Sequence, residues 1–321
     1  MHIKSVAILG AGAVGSYAIW GLSHKPEIKL GVIAEGERNE RLKEKGCKIN
    51  NEIYRPEVWT PEEAKDAGVG LIIVALKYGA LRGALDSLER AVGDNTIVMS
   101  LMNGVDSEEI IAERIGEKHL LYSLIKIASR GENGGYCFDT ETTIGMIIGE
   151  AKPPYESERI KAIDELFKDT GLHYRFTELI REEMWSKFRL NVGTNLAQAI
   201  IGAGVGCYTD SEHMSAIREG LKAELEAVAK AKGIDIDKCA DTSSKGCPVR
   251  YTARYSTLQD LDAKRHTEID MFSGALVRMG RELGIPTPYN ECTYHIIKAL
   301  EEKNDGLFDY SPDDTRVTYS N

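Results

Sequence analysis

The chain has 321 residues, of which 42% are hydrophobic and 28% charged, with a formal net charge of −10. That length suits two domains, and the acidic balance argues against nucleic acid, which rewards basic surface, while leaving an anionic small molecule open, because local charge decides that. No apolar run nears the roughly 20 residues of a membrane helix, residues 1–10 read as a strand and not as a cleavable signal, and Cys47, Cys137, Cys207, Cys239, Cys247 and Cys292 form no Cys-x-x-Cys pair, so a soluble cytoplasmic protein with free thiols and no metal site is expected.

In chain order, compact β-rich runs fall at Ser5–Leu9, Lys29–Ala34, Val69–Leu76, Thr96–Leu101, Leu120–Ala128 and Thr143–Gly149. Helical spacing follows the first at Tyr17–Ser23 and the third at Ala80–Ala91. Strands alternating with helices predict a doubly wound parallel sheet, the Rossmann arrangement, covered on both faces. A helix–strand unit at Glu156–Phe176 closes this domain, giving a boundary near Thr177 and domains of 1–177 and 178–321. The second is expected to be all-α, with helical period over Glu178–Ile201, Ser211–Lys232, His266–Leu283 and Glu291–Lys303, before a loose polar tail at Tyr310–Asn321.

Gly10-Ala11-Gly12-Ala13-Val14-Gly15 matches G-x-G-x-x-G. It follows Val6-Ala7-Ile8-Leu9 and opens a helical stretch, which is the context a dinucleotide loop needs. The first glycine permits the tight turn, the second lets a pyrophosphate approach the backbone, and the third lets the helix pack on the strand. The end of the second strand should choose between NAD and NADP: an acidic side chain binds ribose hydroxyls, a nearby Arg takes the extra phosphate. Here Glu35 favours NAD, whereas Arg38, backed by Arg41 and Lys43, can hold a phosphate. Lys77 and Asn103-Gly104 follow two further strands and therefore face the same crevice, although a solvated surface role is equally open for Lys77.

In the second half, Lys187, Asn191 and Asn195 are spaced i, i+4, i+8 and would share one helix face. Asn is costly inside a helix, so a polar stripe facing a ligand competes here with a solvated face. Ser256 and Asp260 are candidate caps of a short helix. Asp260, Lys264 and Glu268 would share a face if that helix were continuous. His266 reads as structural.

Taken together and in this order, the glycine loop, Leu76-Lys77, Asn103-Gly104, Trp185-x-Lys187 with Asn191 and Asn195, and Ser256-x-x-x-Asp260 with Arg265-x-Thr267-Glu268-Ile269-Asp270 resemble the ketopantoate reductase family over nearly the whole chain. The resemblance implies an α/β fold, a Rossmann domain followed by a helical domain like that of 6-phosphogluconate dehydrogenase, with the site between them. It implies NADP-dependent reduction of 2-dehydropantoate to (R)-pantoate, on the way to pantothenate and coenzyme A. It makes Lys187 the catalytic acid, with Glu268 beside both ligands. Asn191, Asn195, Ser256 and Asn103 become substrate contacts, and Lys77, Asn103, Ala128 and Glu268 cofactor contacts together with residues 10–15, Glu35 and Arg38. Two positions depart from the family: Ala34, followed by Glu35, where an NADP-type Arg is usual, and Val205 where an Asn is usual. NADPH is thus the expected cofactor, with NAD not excluded.

Ketone reduction needs a hydride and a proton; the nicotinamide supplies the first and a lysine losing its water can supply the second. The partner is a small 2-keto acid, and the apolar helical half offers a surface for a homodimer. The rivals are another two-domain 2-keto acid or β-hydroxyacid dehydrogenase and a dinucleotide sensor without catalysis. Lys187 and Glu268 speak against the sensor.

Overall fold

The structure is a computed structural model that describes residues 2–239 and 249–317. Met1, Cys247 and residues 318–321 of the tail lie outside the described residues. The elements run β1 (Ser5–Leu9), α1 (Ala13–Leu22), β2 (Lys29–Ile33), α2 (Gly36–Lys45), β3 (Cys47–Ile49), β4 (Glu52–Tyr54), β5 (Glu57–Trp59), α3 (Pro61–Asp66), β6 (Leu71–Val74), α4 (Tyr78–Ala91), β7 (Ile97–Ser100) and α5 (Ser107–Ile115). They continue with β8 (Leu120–Lys126), β9 (Ser129–Glu132), β10 (Gly135–Phe138), β11 (Gly145–Gly149), α6 (Glu158–Phe167), β12 (Tyr174–Phe176) and α7 (Ile180–Leu190). Then come α8 (Ala197–Ile201), α9 (Cys207–Asp210), α10 (Glu212–Ala231), α11 (Ser256–Asp262), α12 (Ala275–Leu283) and α13 (Pro288–Asn304).

Two compact units result. The first holds residues 1–188 with 234–240, and the second holds 189–233 with 241–321. The chain therefore passes from one to the other inside α7, later than the sequence pattern places it. The reason is local packing: a side chain at Gly149 of β11 would collide with the Thr177 carbonyl and with Ile180, so the start of α7 lies against the sheet.

The first unit is built on an eight-stranded sheet of order β12-β11-β8-β7-β6-β1-β2-β5. It is parallel except where β11 runs antiparallel to β8. Alternation along the strands feeds two cores. Val6 and Ile8 of β1, Leu71 and Ile73 of β6, and Ile97 and Met99 of β7 pack with Tyr17 and Leu22 of α1 and with Ile163 and Phe167 of α6. Ala7, Leu9, Ile72, Val74 and Val98 face the other way, onto Ala64 of α3, Leu81 and Leu88 of α4, and Ile110 and Ile111 of α5. Each such side chain, once buried, contributes roughly 1.5–3 kcal/mol. Tyr17 is 1% exposed, and its hydroxyl accepts from the His173 amide at 2.8 Å, so burial leaves no orphan polar atom there.

A second sheet, of order β4-β3-β10-β9, is not anticipated by the β-rich runs. Its two hairpins turn at Asn50-Asn51 and at Asn133-Gly134, all four residues at positive φ. That is the two-residue turn whose twist suits a hairpin.

Among its described residues the second unit contains helices and no strand. Two of them carry π-helical turns, at Asn191–Leu196 between α7 and α8 and at Asp270–Gly274 before α12. The first has an identifiable cause. The Tyr208 hydroxyl donates to the Thr194 carbonyl at 2.7 Å and accepts from the Gln198 amide at 2.9 Å, so it stands in the rung those two groups would close in an α-helix. The continuous α-helix expected over Glu178–Ile201 is therefore interrupted. No helix among the described residues is long and apolar enough to cross a membrane.

One buried carboxylate ties this unit together. Glu224 of α10, 8% exposed, accepts from the Tyr289 amide (2.7 Å), the Asn290 amide (2.9 Å) and Asn290 Nδ2 (2.7 Å). It serves the first turn of α13, whose Thr287 N-cap makes no side-chain cap bond. Glu224→Ala should cost about 3 kcal/mol by stranding buried donors, and Glu224→Gln, which still accepts, should cost less. Both are read as shifts of the unfolding midpoint; an unchanged Glu224→Ala midpoint would contradict the role.

Candidate functional site

Strands β1, β2, β6, β7 and β8 are mutually parallel, so their carboxyl ends share one edge of the sheet. Residues 10–15 follow β1, Glu35 follows β2, Lys77 follows β6, Asn103 follows β7 and Ala128 follows β8. The expected cofactor residues of the first unit are thus gathered on the edge where open α/β sheets bind ligands.

The glycine loop has the shape of a phosphate cradle. Gly10 has φ +109°, and a side chain there would reach within 2.6 Å of the Ala75 carbonyl oxygen of the next strand end. A Cβ on Gly15 would lie 1.9 Å from the Gly10 carbonyl oxygen, so only glycine lets α1 close onto β1. A Cβ on Gly12 would meet nothing within 4 Å. It would project into open space at the N-cap of α1, where no side chain caps the helix. Backbone N–H groups at such an end bind anions. The residues present therefore fit the pyrophosphate of a dinucleotide, with Ala11, Ala13 and Val14 completing the loop.

Glu35 is the N-cap residue of α2, and its carboxylate accepts from Ser87 Oγ (2.5 Å) and Arg90 Nη2 (2.8 Å) of α4. The Ser87 hydrogen bond, then that of Arg90, hold the Glu35 carboxyl below the usual range. Arg38 is exposed on α2, and its charge is felt at the Cys47 thiol of β3, where burial pushes the thiol up. Lys77 is the exposed N-cap residue of α4 and Ala128 an exposed residue before β9.

Lys187 projects from α7 within the first unit. Its Nζ donates to Asn103 Oδ1 at 2.9 Å and to the Ile125 carbonyl, near the end of β8, at 2.7 Å. Both acceptors are neutral, so they orient the ammonium without cancelling its charge. The structure therefore joins two residues, Lys187 and Asn103, that lie 84 positions apart.

The remaining candidates belong to the second unit. Asn191 and Asn195 lie on the first π turn, so the single α-helical face expected for Lys187, Asn191 and Asn195 loses its regular register after Leu190. Asn195 is 4% exposed; its Nδ2 donates to Ser256 Oγ at 2.8 Å and its Oδ1 accepts from the Thr257 amide at 3.0 Å. Asn195 thus anchors the start of α11 and holds Ser256 as an acceptor, which leaves the Ser256 hydroxyl proton to donate. Ser256 is not the cap of α11, whose N-cap residue is Tyr255. Asp260 accepts from Arg265 Nε at 2.8 Å. The face expected for Asp260, Lys264 and Glu268 does not form, because α11 ends at Asp262 and Lys264 has φ +51°. Glu268, half-buried, opens the segment into the second π turn, its carbonyl accepting from the Met271 (3.0 Å) and Phe272 (3.1 Å) amides. The preceding residue is fixed from below: Thr267 donates through its amide (2.7 Å) and hydroxyl (2.6 Å) to buried Glu301. The two π turns lie in contact. Among the described residues no three His, Cys, Asp or Glu side chains group as metal ligands.

Fold and edge geometry define a Rossmann-type sheet with a dinucleotide loop, followed by a helical second unit. The chain belongs to the ketopantoate reductase family: the model described as "Ketopantoate reductase PanE/ApbA" matches residues 6–150, and its C-terminal counterpart matches residues 179–301. A 2-dehydropantoate 2-reductase of Mesorhizobium japonicum is 26% identical over 92% of this chain and 97% of its own length. One from Aquifex aeolicus is 26% identical over 93% and 97%. Among solved structures, a ketopantoate reductase of Ralstonia eutropha superposes with a TM-score of 0.77 at 23% identity, covering 94% of this chain and 99% of that one. D-mandelate dehydrogenase with NADH and anilino(oxo)acetate superposes with 0.75 at 21%, again covering 94% and 99%.

A polar stitch that no local motif marks runs from β8 through β7 to the start of α5. Ser123 Oγ donates to the Ser100 carbonyl at 2.7 Å, Ser100 and Ser107 share a bond of 2.8 Å, and Ser107 Oγ donates to Glu108 Oε2 at 2.8 Å. Glu108 is 1% exposed, and burial pushes its carboxyl up to about 7, against the Ser107 bond. Because this folded value lies above the ordinary 4.5, the folded state holds a proton that the unfolded state has lost between those values. Stability contributed by that proton is full below the ordinary value and is lost as pH rises toward about 7. Glu108→Gln, which stays neutral, should raise the unfolding midpoint over wild type at about pH 8 and lose that advantage near about pH 4. A gap that stays constant across this range would contradict the buried acid.

Proposed function

We propose that the chain reduces 2-dehydropantoate to (R)-pantoate, with Lys187 as the proton donor. The observation that carries this reading is the placing of the Lys187 ammonium, by Asn103 Oδ1 and the Ile125 carbonyl, on the sheet edge that also bears the glycine loop. Residues 10–15 would hold the dinucleotide phosphates, with Lys77, Asn103 and Ala128 along the same edge. When bound, the reduced nicotinamide supplies the hydride; the resemblance to the family implies NADPH. The relatives named 2-dehydropantoate 2-reductase over nearly the full length of this chain support the choice of keto acid.

The proton chemistry follows from the side chains. A ketone accepting hydride develops negative charge on oxygen, and an oriented ammonium stabilises that charge and then quenches it by proton transfer. The bonds to Asn103 Oδ1 and the Ile125 carbonyl fix the direction of the ammonium. Ser256, with its oxygen engaged by Asn195, donates to a carboxylate or hydroxyl of the substrate, and Asn191 offers an amide to the same end. Glu268 accepts only, which suits it to a substrate hydroxyl. Asn195 acts by holding Ser256.

Lys187→Ala should lower kcat by roughly 10²–10⁴, the usual worth of a positioned acid, while dinucleotide binding, carried by the glycine loop, changes little. Single-turnover and equilibrium binding measurements separate the two, and a near-wild-type kcat would refute the role. A site that hydrogen-bonds a hydroxyl rejects analogues lacking it, because its own polar group is left unpaired. The chain should therefore prefer 2-dehydropantoate over 3-methyl-2-oxobutanoate in kcat/KM, and Glu268→Gln should shrink that preference in part. Equal activity on the two keto acids would favour a different 2-keto acid as substrate.

A further inference from the structure

At the end of β2 a group of charges stands apart from the proton-transfer residues. Glu35 comes one residue beyond Ala34 at the end of β2 and is the N-cap residue of α2, beside the strand end that meets the adenosine ribose in dinucleotide-binding sheets. Its carboxylate is anchored by Ser87 Oγ at 2.5 Å and Arg90 Nη2 at 2.8 Å. The Arg90 guanidinium is itself occupied: it also meets Glu62 Oε1 at 2.6 Å and Asp86 Oδ2 at 3.2 Å. Three carboxylates therefore surround one guanidinium, and although Asp86 also meets Arg114 Nη2 at 3.2 Å, negative charge stays in excess around Arg90. A phosphate could recruit Arg90 only by displacing carboxylates already bound to it. A ribose with free hydroxyls faces no such cost, because a carboxylate has about four acceptor positions and Ser87 and Arg90 use two of them.

We propose that Glu35, held by Ser87 and Arg90, selects NADH over NADPH in this chain, with Arg90 acting as a positioning residue for the carboxylate and not as a phosphate ligand. The proposal rests on the reading that residues 10–15 hold a nicotinamide dinucleotide, and it departs from the cofactor which the family resemblance implies. It gives Arg38 no part in holding a phosphate, so the choice is made by Ser87 and Arg90 of α4 meeting the Glu35 carboxylate.

The test is binding without keto acid, so that turnover plays no part. Titrating wild-type protein with NADH and with NADPH, followed by nicotinamide fluorescence and by calorimetry, should give an NADH Kd at least about tenfold lower, since like charges brought together are costly. The preference should shrink at about 1 M salt, which screens repulsion between exposed charges. Glu35→Gln should bring the two Kd values within about threefold of each other, the loss of like-charge repulsion being the larger part. Arg90→Ala should weaken NADH and leave NADPH no tighter, and Arg90→Lys should restore part of the NADH affinity. Glu35 and Arg90 side chains are 45% and 37% exposed, so these changes leave the core intact. Equal Kd values, tighter NADPH, or a selective loss of NADPH in Arg90→Ala would overturn the proposal while leaving the dinucleotide reading standing. Failure to bind either nucleotide would overturn both.

Discussion

The arrangement depends on one lysine reaching across chain topology. Lys187 comes from α7, yet its ammonium ends on the Asn103 amide oxygen, beyond β7, and on the Ile125 carbonyl, near the end of β8. A charged head group drawn toward a sheet edge is costly unless its donors find acceptors. Two oxygens, one from a side chain and one from the backbone, meet that requirement.

Holding that geometry requires rigid surroundings, and the sheet provides them. The Asn103 segment is stitched to β7 and β8 by Ser100, Ser107, Ser123 and buried Glu108. Tyr78, at the start of α4, donates to Asp106 Oδ2 at 2.6 Å and so ties the Lys77 turn to the same segment. The glycine loop is set by contacts too close for any side chain at Gly10 or Gly15. In the second unit the equivalent rigidity comes from two π turns, one held open by the Tyr208 hydroxyl and the other entered through Thr267 on Glu301. π turns often mark functional sites because they redirect side chains that an α-helix would space evenly.

Much of this was legible in the residue pattern, and the gaps have physical causes. Apolar runs bounded by turns marked β1, β2, β6, β7, β8 and β11, because strands buried on both faces are continuously apolar. The second sheet escaped notice since its strands are three or four residues long and largely polar; Asn50-Asn51 and Asn133-Gly134 were the available signals. The helical period of Glu178–Ile201 runs unbroken through the first π turn, because the interruption comes from Tyr208, outside that stretch. The partners of Glu35 lay beyond reach for the same reason: Ser87 and Arg90 are 52 and 55 positions away. Local motifs report on backbone needs, such as glycines at a phosphate cradle. They do not report on which distant side chain meets a carboxylate.

The measurement closest to the central claim is turnover by the wild-type chain. Purified protein is mixed with NADH or NADPH and a panel of 2-keto acids, reduced nicotinamide is followed by absorbance, and the product is resolved by chirality. The account predicts the highest kcat/KM with 2-dehydropantoate and (R)-pantoate as the sole product. Oxidation of neither nucleotide by any 2-keto acid, in protein that binds the dinucleotide, would contradict it.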